Sequence, residues 1–240
     1  MSLDSLLPSG FSATALAALA GVAFVASLAR GFSRFGGALI FMPLASTVAA
    51  PRTVAALLLV IDFVAAAPLL PNAWKHADRT AVAFMSLGAM FAVPAGAYAL
   101  THLDPVTTRW IIVAFVAALL MLLVSGWRYR GKGTPAMAVG TGVVSGFCGG
   151  LAQSGGPPVV AYWLGQPIST AVARANIVLF FGVTSVFTAI SYFMSDLLTT
   201  DVFKLALWIG PVYALGLFIG AHLFGVASET LFRRTCYSLI

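Results

Sequence analysis

Long apolar runs separated by short polar loops make up almost the whole chain. Most of these runs approach the roughly 20 residues that a helix needs to cross the hydrocarbon core of a bilayer. Seven are predicted to span a membrane: Phe11–Leu28, Thr53–Leu70, Thr80–Thr101, Trp110–Trp127, Ala136–Leu151, Ala175–Ser195 and Val202–Phe224. Two runs, Gly37–Ala49 and Gly156–Gly165, are too short to span. The tail Leu231–Ile240 is predicted to begin a last helix that ends incomplete.

The composition requires the bilayer as the solvent. The chain is 60% hydrophobic and only 8% charged, with a mean hydropathy of +1.00, whereas a soluble domain carries about 25% charged residues. The formal charge of +6 comes from 13 Lys and Arg residues, which sit in loops between spans and therefore indicate topology rather than a nucleic-acid surface. The fold class predicted is an all-α polytopic membrane protein.

The two short runs occupy matching places in two halves of the chain. RFGGALIFMPLA (34–45) aligns with QSGGPPVVAYWL (153–164), which places Gly36-Gly37 over Gly155-Gly156 at an offset of 119 residues. Paired Gly-interrupted segments in two halves are a known pointer to a transporter binding site. We therefore predict a first transmembrane repeat over 1–127, a cytoplasmic linker over 128–135 and a second transmembrane repeat over 136–240.

The charges of the loops predict that the second repeat is inverted. If each Gly-rich stretch is a re-entrant hairpin followed by three crossings, the second half is upside down and one face receives eight basic residues against three on the other. Parallel repeats would divide the basic residues six to seven. The positive-inside rule favours the inverted arrangement, with the linker in the cytoplasm and the N-terminus outside.

Two arginines and three glycines interrupt the first apolar region, in the stretch ARGFSRFGGALIFMP (29–43). They are Arg30, Gly31, Arg34, Gly36 and Gly37. The glycines are expected to break the helix, and a half-helix starting at Gly36 would present its N–H groups and partial positive charge to an anion. Each arginine either reaches the interface or a carboxylate, or coordinates an oxyanion through its planar guanidinium. Arg34 adjoins the glycine pair and is the favoured ligand.

The second break carries neutral polar residues in the matching positions. Gln153 and Ser154 either donate hydrogen bonds to the same anion or satisfy the backbone that the break exposes. Gly155 and Gly156 begin the second half-helix, and the prolines that follow suit a helix start because they lack the N–H group. The predicted substrate-binding set is therefore Arg34, Gly36, Gly37, Gln153, Ser154, Gly155, Gly156 and Arg30.

Asp62 is the other residue of interest, in the middle of AALLLVIDFVAAAPLL (55–70). A carboxylate inside a span is a functional-site hypothesis by default. It is either the counterion of Arg30 or Arg34, or a proton carrier for ion coupling.

The glycine motifs resemble the sulfite exporter TauE/SafE family. The resemblance rests on Gly36-Gly37 upstream of Pro43 and on SGFCGGLAQSGGPPVV (145–160), and it covers essentially the whole chain. It implies a multi-pass transporter of the bacterial inner membrane whose substrates are small anions of sulfur metabolism, such as sulfite, sulfoacetate, other organosulfonates or thiosulfate. Arg34 stands where the family often has glycine, a departure that favours an anion.

The function predicted is a secondary transporter of a small, sulfur-containing oxyanion, with export favoured and the site between the two broken-helix hairpins. The alternatives are an anion channel, which would need a continuous pore, and a structural membrane subunit. The chain contains no His-Glu-x-x-His, no Gly-x-Ser-x-Gly and no clustered carboxylate pair, so we predict no enzyme. We expect no cofactor and no metal. The partners expected are a small anion, membrane lipid and a second copy of the chain in a homodimer.

Overall fold

A computed structural model describes residues 11–33, 36–125, 131 and 133–226. Within that part the chain forms helices and no strand. The ten α-helices are α1 Ala13–Ser33, α2 Gly37–Val48, α3 Pro51–Ala66, α4 Leu70–His76, α5 Arg79–His102, α6 Pro105–Val124, α7 Pro135–Ala152, α8 Gly156–Trp163, α9 Thr170–Met194 and α10 Thr200–Val226. Arg34, half of the predicted linker and the predicted last helix lie outside the described residues.

Seven helical stretches of the described chain are long and apolar enough to cross a membrane. They confirm the seven predicted spans, although their bounds differ. The second span continues to His76 and is interrupted by a 3₁₀ turn over Ala67–Leu69, where Pro68 stands at the start of the turn. The fourth begins more than a turn earlier than predicted, at Pro105, because Asp104 accepts hydrogen bonds from the N–H groups of Val106 and Thr107.

Polar caps in the loops explain where several spans begin. Asp78 accepts from the N–H of Ala81 at 3.1 Å at the start of α5, and Thr134 accepts from Met137 at 3.3 Å at the start of α7. Ser169 performs the same role for α9, where it accepts from Val172 at 3.3 Å. Such side chains satisfy N–H groups that have no partner within the helix.

The chain divides into two compact units, Met1–Ile61 with Leu198–Ile240, and Asp62–Leu197. The first contains α1, α2, α10 and most of α3, whereas the second contains α4 to α9. Each unit therefore combines helices from both halves of the sequence.

In the first unit, α1 packs against α10 with backbone in contact with backbone. Three contacts mark the interface: Gly216 with Phe24, Gly220 with Leu28, and Gly31 with Ala221. The contacts advance in the same direction along both helices, so the two helices run parallel. Gly31 was predicted to break the helix, and that prediction is wrong: Gly31 lies inside α1. A Cβ at Gly31 would overlap the backbone of Leu217, so the glycine allows close packing instead.

In the second unit, α5 and α7 form an interface of the same kind. Three contacts mark it: Gly142 with Met85, Gly146 with Ala89, and Gly150 with Val93. The glycines recur every fourth residue on one face of α7, as in the small-xxx-small pattern of membrane helix pairs. This pair is also parallel, because the contacts advance together along both helices.

The two interfaces use equivalent residues. Gly31 and Gly150 are related by the same offset of 119 residues as the two glycine pairs of the breaks. Their partners also correspond at one common offset: Gly31 meets Leu217 and Ala221, whereas Gly150 meets Val93 and Ala97. One packing solution therefore occurs twice, once in each unit.

Large apolar side chains on the outer faces of the helices are highly exposed. Phe91 and Phe193 are each 73% exposed, and Phe218 is 63% exposed. In water such residues would be unfavourable at about 25 cal/mol per Å² of apolar surface. They are the surface expected to contact lipid tails.

Candidate functional site: the second helix break

The break between α7 and α8 is a hairpin loop. Gln153 ends α7 in the left-handed conformation, with φ at 54° and ψ at 16°. The hydroxyl of Ser145 then donates to the carbonyl oxygen of Gly155 at 2.7 Å. Since Ser145 lies about 10 Å before the end of α7, the chain has turned back along that helix by Gly155. At the other end of α8, Tyr162 and Gln166 lie next to Gly133, which precedes α7. The two helices are therefore antiparallel.

Hydrogen-bond donors cap the carbonyl end of α7. The N–H of Gln153 donates to the carbonyl of Gly149 at 2.8 Å, as in an αL cap. The hydroxyl of Tyr192, from α9, donates to Gly150 at 2.7 Å, and that of Ser154 donates to Ala152 at 2.8 Å. Three of the four terminal carbonyls thus have a donor. A helix C-terminus otherwise carries a partial negative charge, and these donors oppose it.

The N-terminus of α8 presents its N–H groups with fewer partners. Pro157 and Pro158 occupy two of the first helical positions and have no N–H. The N–H groups of Gly155 and Gly156 take part in no hydrogen bond among the described residues. A Cβ at Gly155 would overlap Ser145, so only glycine fits there. The break therefore combines capped carbonyls with available backbone donors.

The structure assigns different surroundings to the two predicted polar ligands of this break. The Ser154 side chain is only 2% exposed and its hydroxyl hydrogen is directed to Ala152, which is the backbone-satisfying role that the sequence left open. Gln153 is half-buried, and its Nε2 makes a long hydrogen bond of 3.5 Å to the Tyr192 hydroxyl. Because that hydroxyl donates to Gly150, it can only accept from Gln153, so the amide nitrogen faces Tyr192.

The first break lies between α1 and α2 and contains Gly36 with φ at 92°. Residues with a side chain rarely adopt this conformation, so the predicted role of Gly36 in the break is confirmed for the backbone. Gly37 begins α2, and its Cα faces the Cβ of Arg30 and the carbonyl of Ala26 in α1. The chain thus turns back along α1 here as well.

The structure describes two of the three charged residues that the sequence predicted for the site. Arg30 is half-buried in the last turn of α1. Asp62 is half-buried in α3 and takes part in an interaction. Arg34 lies outside the described residues. The ligand and counterion roles of these three residues stay predictions.

Sequence reasoning missed Ser145 and Tyr192, two residues that shape the second break. Ser145 opens the glycine motif at 145–160, from which only Gln153, Ser154, Gly155 and Gly156 were predicted as ligands. Tyr192 lies near the end of α9, where an aromatic residue is ordinarily taken for a member of the interfacial belt. It is instead completely buried and reaches the end of α7. Only the packing of α9 against α7 reveals this contact.

Seven apolar spans, two helices that begin at glycine breaks and paired glycine interfaces define a polytopic α-helical membrane protein with broken helices, an architecture typical of secondary transporters. The model of the family described as "Sulfite exporter TauE/SafE" matches residues 19–240. The chain belongs to that family, and it is a multi-pass protein of the inner membrane. No curated protein and no solved structure matches the chain. The family is one of membrane transporters of sulfur anions, in agreement with the resemblance seen in the sequence.

Proposed function

We propose that the protein is a secondary transporter that exports a small sulfur-containing oxyanion, such as sulfite or an organosulfonate, across the bacterial inner membrane. The observation that carries the proposal is the asymmetry of the second break. Carbonyl oxygens there accept from Gln153, Tyr192 and Ser154, while the N–H groups of Gly155 and Gly156 have no partner among the described residues. An oxyanion is the ligand that complements such donors.

The substrate ligands proposed at this break are the backbone N–H groups of Gly155 and Gly156 and the side chain of Gln153. Ser154 contributes by holding the loop. At the first break we propose Arg34 as the charged ligand, supported by Arg30 and by the backbone of Gly36 and Gly37. Arginine binds planar or trigonal oxyanions through parallel hydrogen bonds.

The recurring glycine interface supports two structural repeats, because equivalent residues make the same contact in each unit. Inversion of the second repeat is favoured by the distribution of loop charges. Alternating access in such transporters comes from movement of one repeat against the other. We include this mechanism, and a homodimeric assembly, in the proposal.

The membrane potential supports the proposed direction. At about 100 mV, negative inside, export of one negative charge is favourable by ~2.3 kcal/mol. Export can therefore proceed without a coupling ion, whereas uptake would require one. Asp62 is the proposed site of proton coupling if the transport cycle carries protons, and otherwise the counterion of an arginine.

Proteoliposomes containing the full chain test this function. Uptake of radiolabelled sulfite is measured against a panel of sulfate, thiosulfate, organosulfonates and carboxylates as competitors. We expect saturable uptake that is inhibited by sulfur oxyanions and accelerated by unlabelled sulfite on the opposite side, because an exchanger shows counterflow and a channel does not. Uptake without counterflow would favour the channel. Competition by carboxylates alone would exclude the sulfur assignment.

A further inference from the structure

The hydroxyl groups of Ser145 and Tyr192 are side-chain donors from helices of the second unit that contact the break from outside the loop. Ser145 belongs to α7 and is 2% exposed, and Tyr192 belongs to α9 and is fully buried. Their target oxygens are those of Gly155 and Gly150, at 2.7 Å each. Both distances are the usual ones for hydrogen bonds between a hydroxyl and a carbonyl.

The need for these donors follows from the shape of the loop. The chain brings a helix C-terminus and a helix N-terminus close to the same site, and their partial charges are opposite in sign. An anion near the loop is attracted by the N–H groups of Gly155 and Gly156 and repelled by exposed carbonyl oxygens. A hydroxyl hydrogen placed on a carbonyl oxygen reduces that repulsion, and the low dielectric of the interior preserves the effect.

We propose that Ser145 and Tyr192 are positioning residues that make the second break selective for anions. They cap the carbonyls of Gly155 and Gly150, and Tyr192 also orients the amide of Gln153. The inference rests on the proposed oxyanion transport and adds residues that act through the loop without being substrate ligands.

The test uses Ser145→Ala and Tyr192→Phe in the full chain. Each removes one hydroxyl and retains the rest of the side chain, so the apolar packing is preserved. Ser86→Ala is the matched control for serine, because Ser86 is buried in α5 and its Oγ has no partner among the described residues. Tyr162→Phe is the control for tyrosine, because Tyr162 is also buried but lies at the opposite end of α8, next to Gly133.

The readout is the inhibition constant of two competitors of sulfite uptake, thiosulfate as a dianion and methanesulfonate as a monoanion. A carbonyl dipole acts on an anion in proportion to its charge. We expect each variant to raise the inhibition constant about threefold for methanesulfonate and about tenfold for thiosulfate, a size typical of one hydrogen bond. The controls should leave both constants unchanged.

Four results would overturn the inference. Equal changes for the two competitors, or a loss of maximal rate with unchanged inhibition constants, would indicate a purely structural role. No change relative to Ser86→Ala and Tyr162→Phe would show that the hydroxyls do not affect the site, while the transport function itself would stand. If the unmodified protein takes up no sulfite and responds to neither competitor, the proposed function fails together with the inference.

Discussion

The two helix breaks share a backbone plan and differ in their polar groups. In each, a long helix ends, the chain turns back along it, and a short helix begins at the second glycine of a pair. The first break has a glycine at φ 92° and an adjacent stretch rich in arginine, whereas the second has Gln153 in the left-handed conformation and carbonyls capped by hydroxyls. The comparison teaches that the glycines provide the turn, while the side chains around it decide what the turn can bind.

The largest effect is expected at the first break. Arg34→Ala should abolish sulfite transport in proteoliposomes, because a fixed positive charge is the strongest attraction available to an oxyanion. Arg174→Ala is the matched control, since Arg174 is exposed at the start of α9. Expression and membrane insertion are measured in parallel. Undiminished transport in the variant would remove Arg34 from the site and leave the second break as the anion ligand.

The two glycine interfaces allow a test of whether α1 and α10 pack in the same way as α7 and α5. Gly31→Ala and Gly150→Ala each place a Cβ against backbone atoms of the neighbouring helix, and such overpacking costs about 1–3 kcal/mol. We expect a thermal-shift measurement in detergent to show a lower unfolding temperature for both variants. The two decreases should be similar. Gly149→Ala is the control: nothing lies within 4 Å of its added Cβ, and alanine favours a helix by about 1 kcal/mol over glycine. Similar behaviour of Gly149→Ala and Gly150→Ala would contradict the packing described here.

A moderate effect is expected for Gln153. Gln153→Gly keeps the left-handed turn and removes the amide, so it should raise the KM for sulfite about tenfold, the size of one lost hydrogen bond to a charged group. Gln153→Ala removes the same amide and also strains the turn, because φ at 54° is unfavourable for alanine. Because both variants lack the amide, a difference in thermal stability between them would measure only the backbone strain at the turn. An unchanged KM in Gln153→Gly would limit this residue to a backbone role.

The smallest change is expected for Asp62→Asn, measured as sulfite flux under an imposed pH gradient. If Asp62 carries the coupling proton, the variant keeps transport and loses its dependence on the gradient, because the amide cannot titrate. If the variant retains the full dependence on pH, Asp62 is a counterion or structural residue. Ser46→Ala serves as a neutral control in α2, since its buried hydroxyl has no partner among the described residues.

Much of the architecture was accessible from the order of the residues. Apolar runs of span length predicted the seven crossings, because a bilayer admits helices that satisfy their own backbone. Glycine pairs at a fixed offset predicted the positions of both breaks, which the structure confirms at Gly36 and Gly155. The family followed from the same glycines, and the family match confirms it.

Contacts between distant segments were not accessible in the same way. Gly31 has the local signature of a helix breaker, yet it lies inside α1, at a point where α10 approaches too closely for any Cβ. Tyr192 has the signature of an interfacial aromatic, yet it donates to a carbonyl 42 residues earlier in the chain. Local pattern specifies which segments become helices; it does not specify which helix faces which. Side-chain packing and the need of buried carbonyls for donors determine which helices are neighbours. That pairing also determines which carbonyls of the second break receive a hydrogen bond.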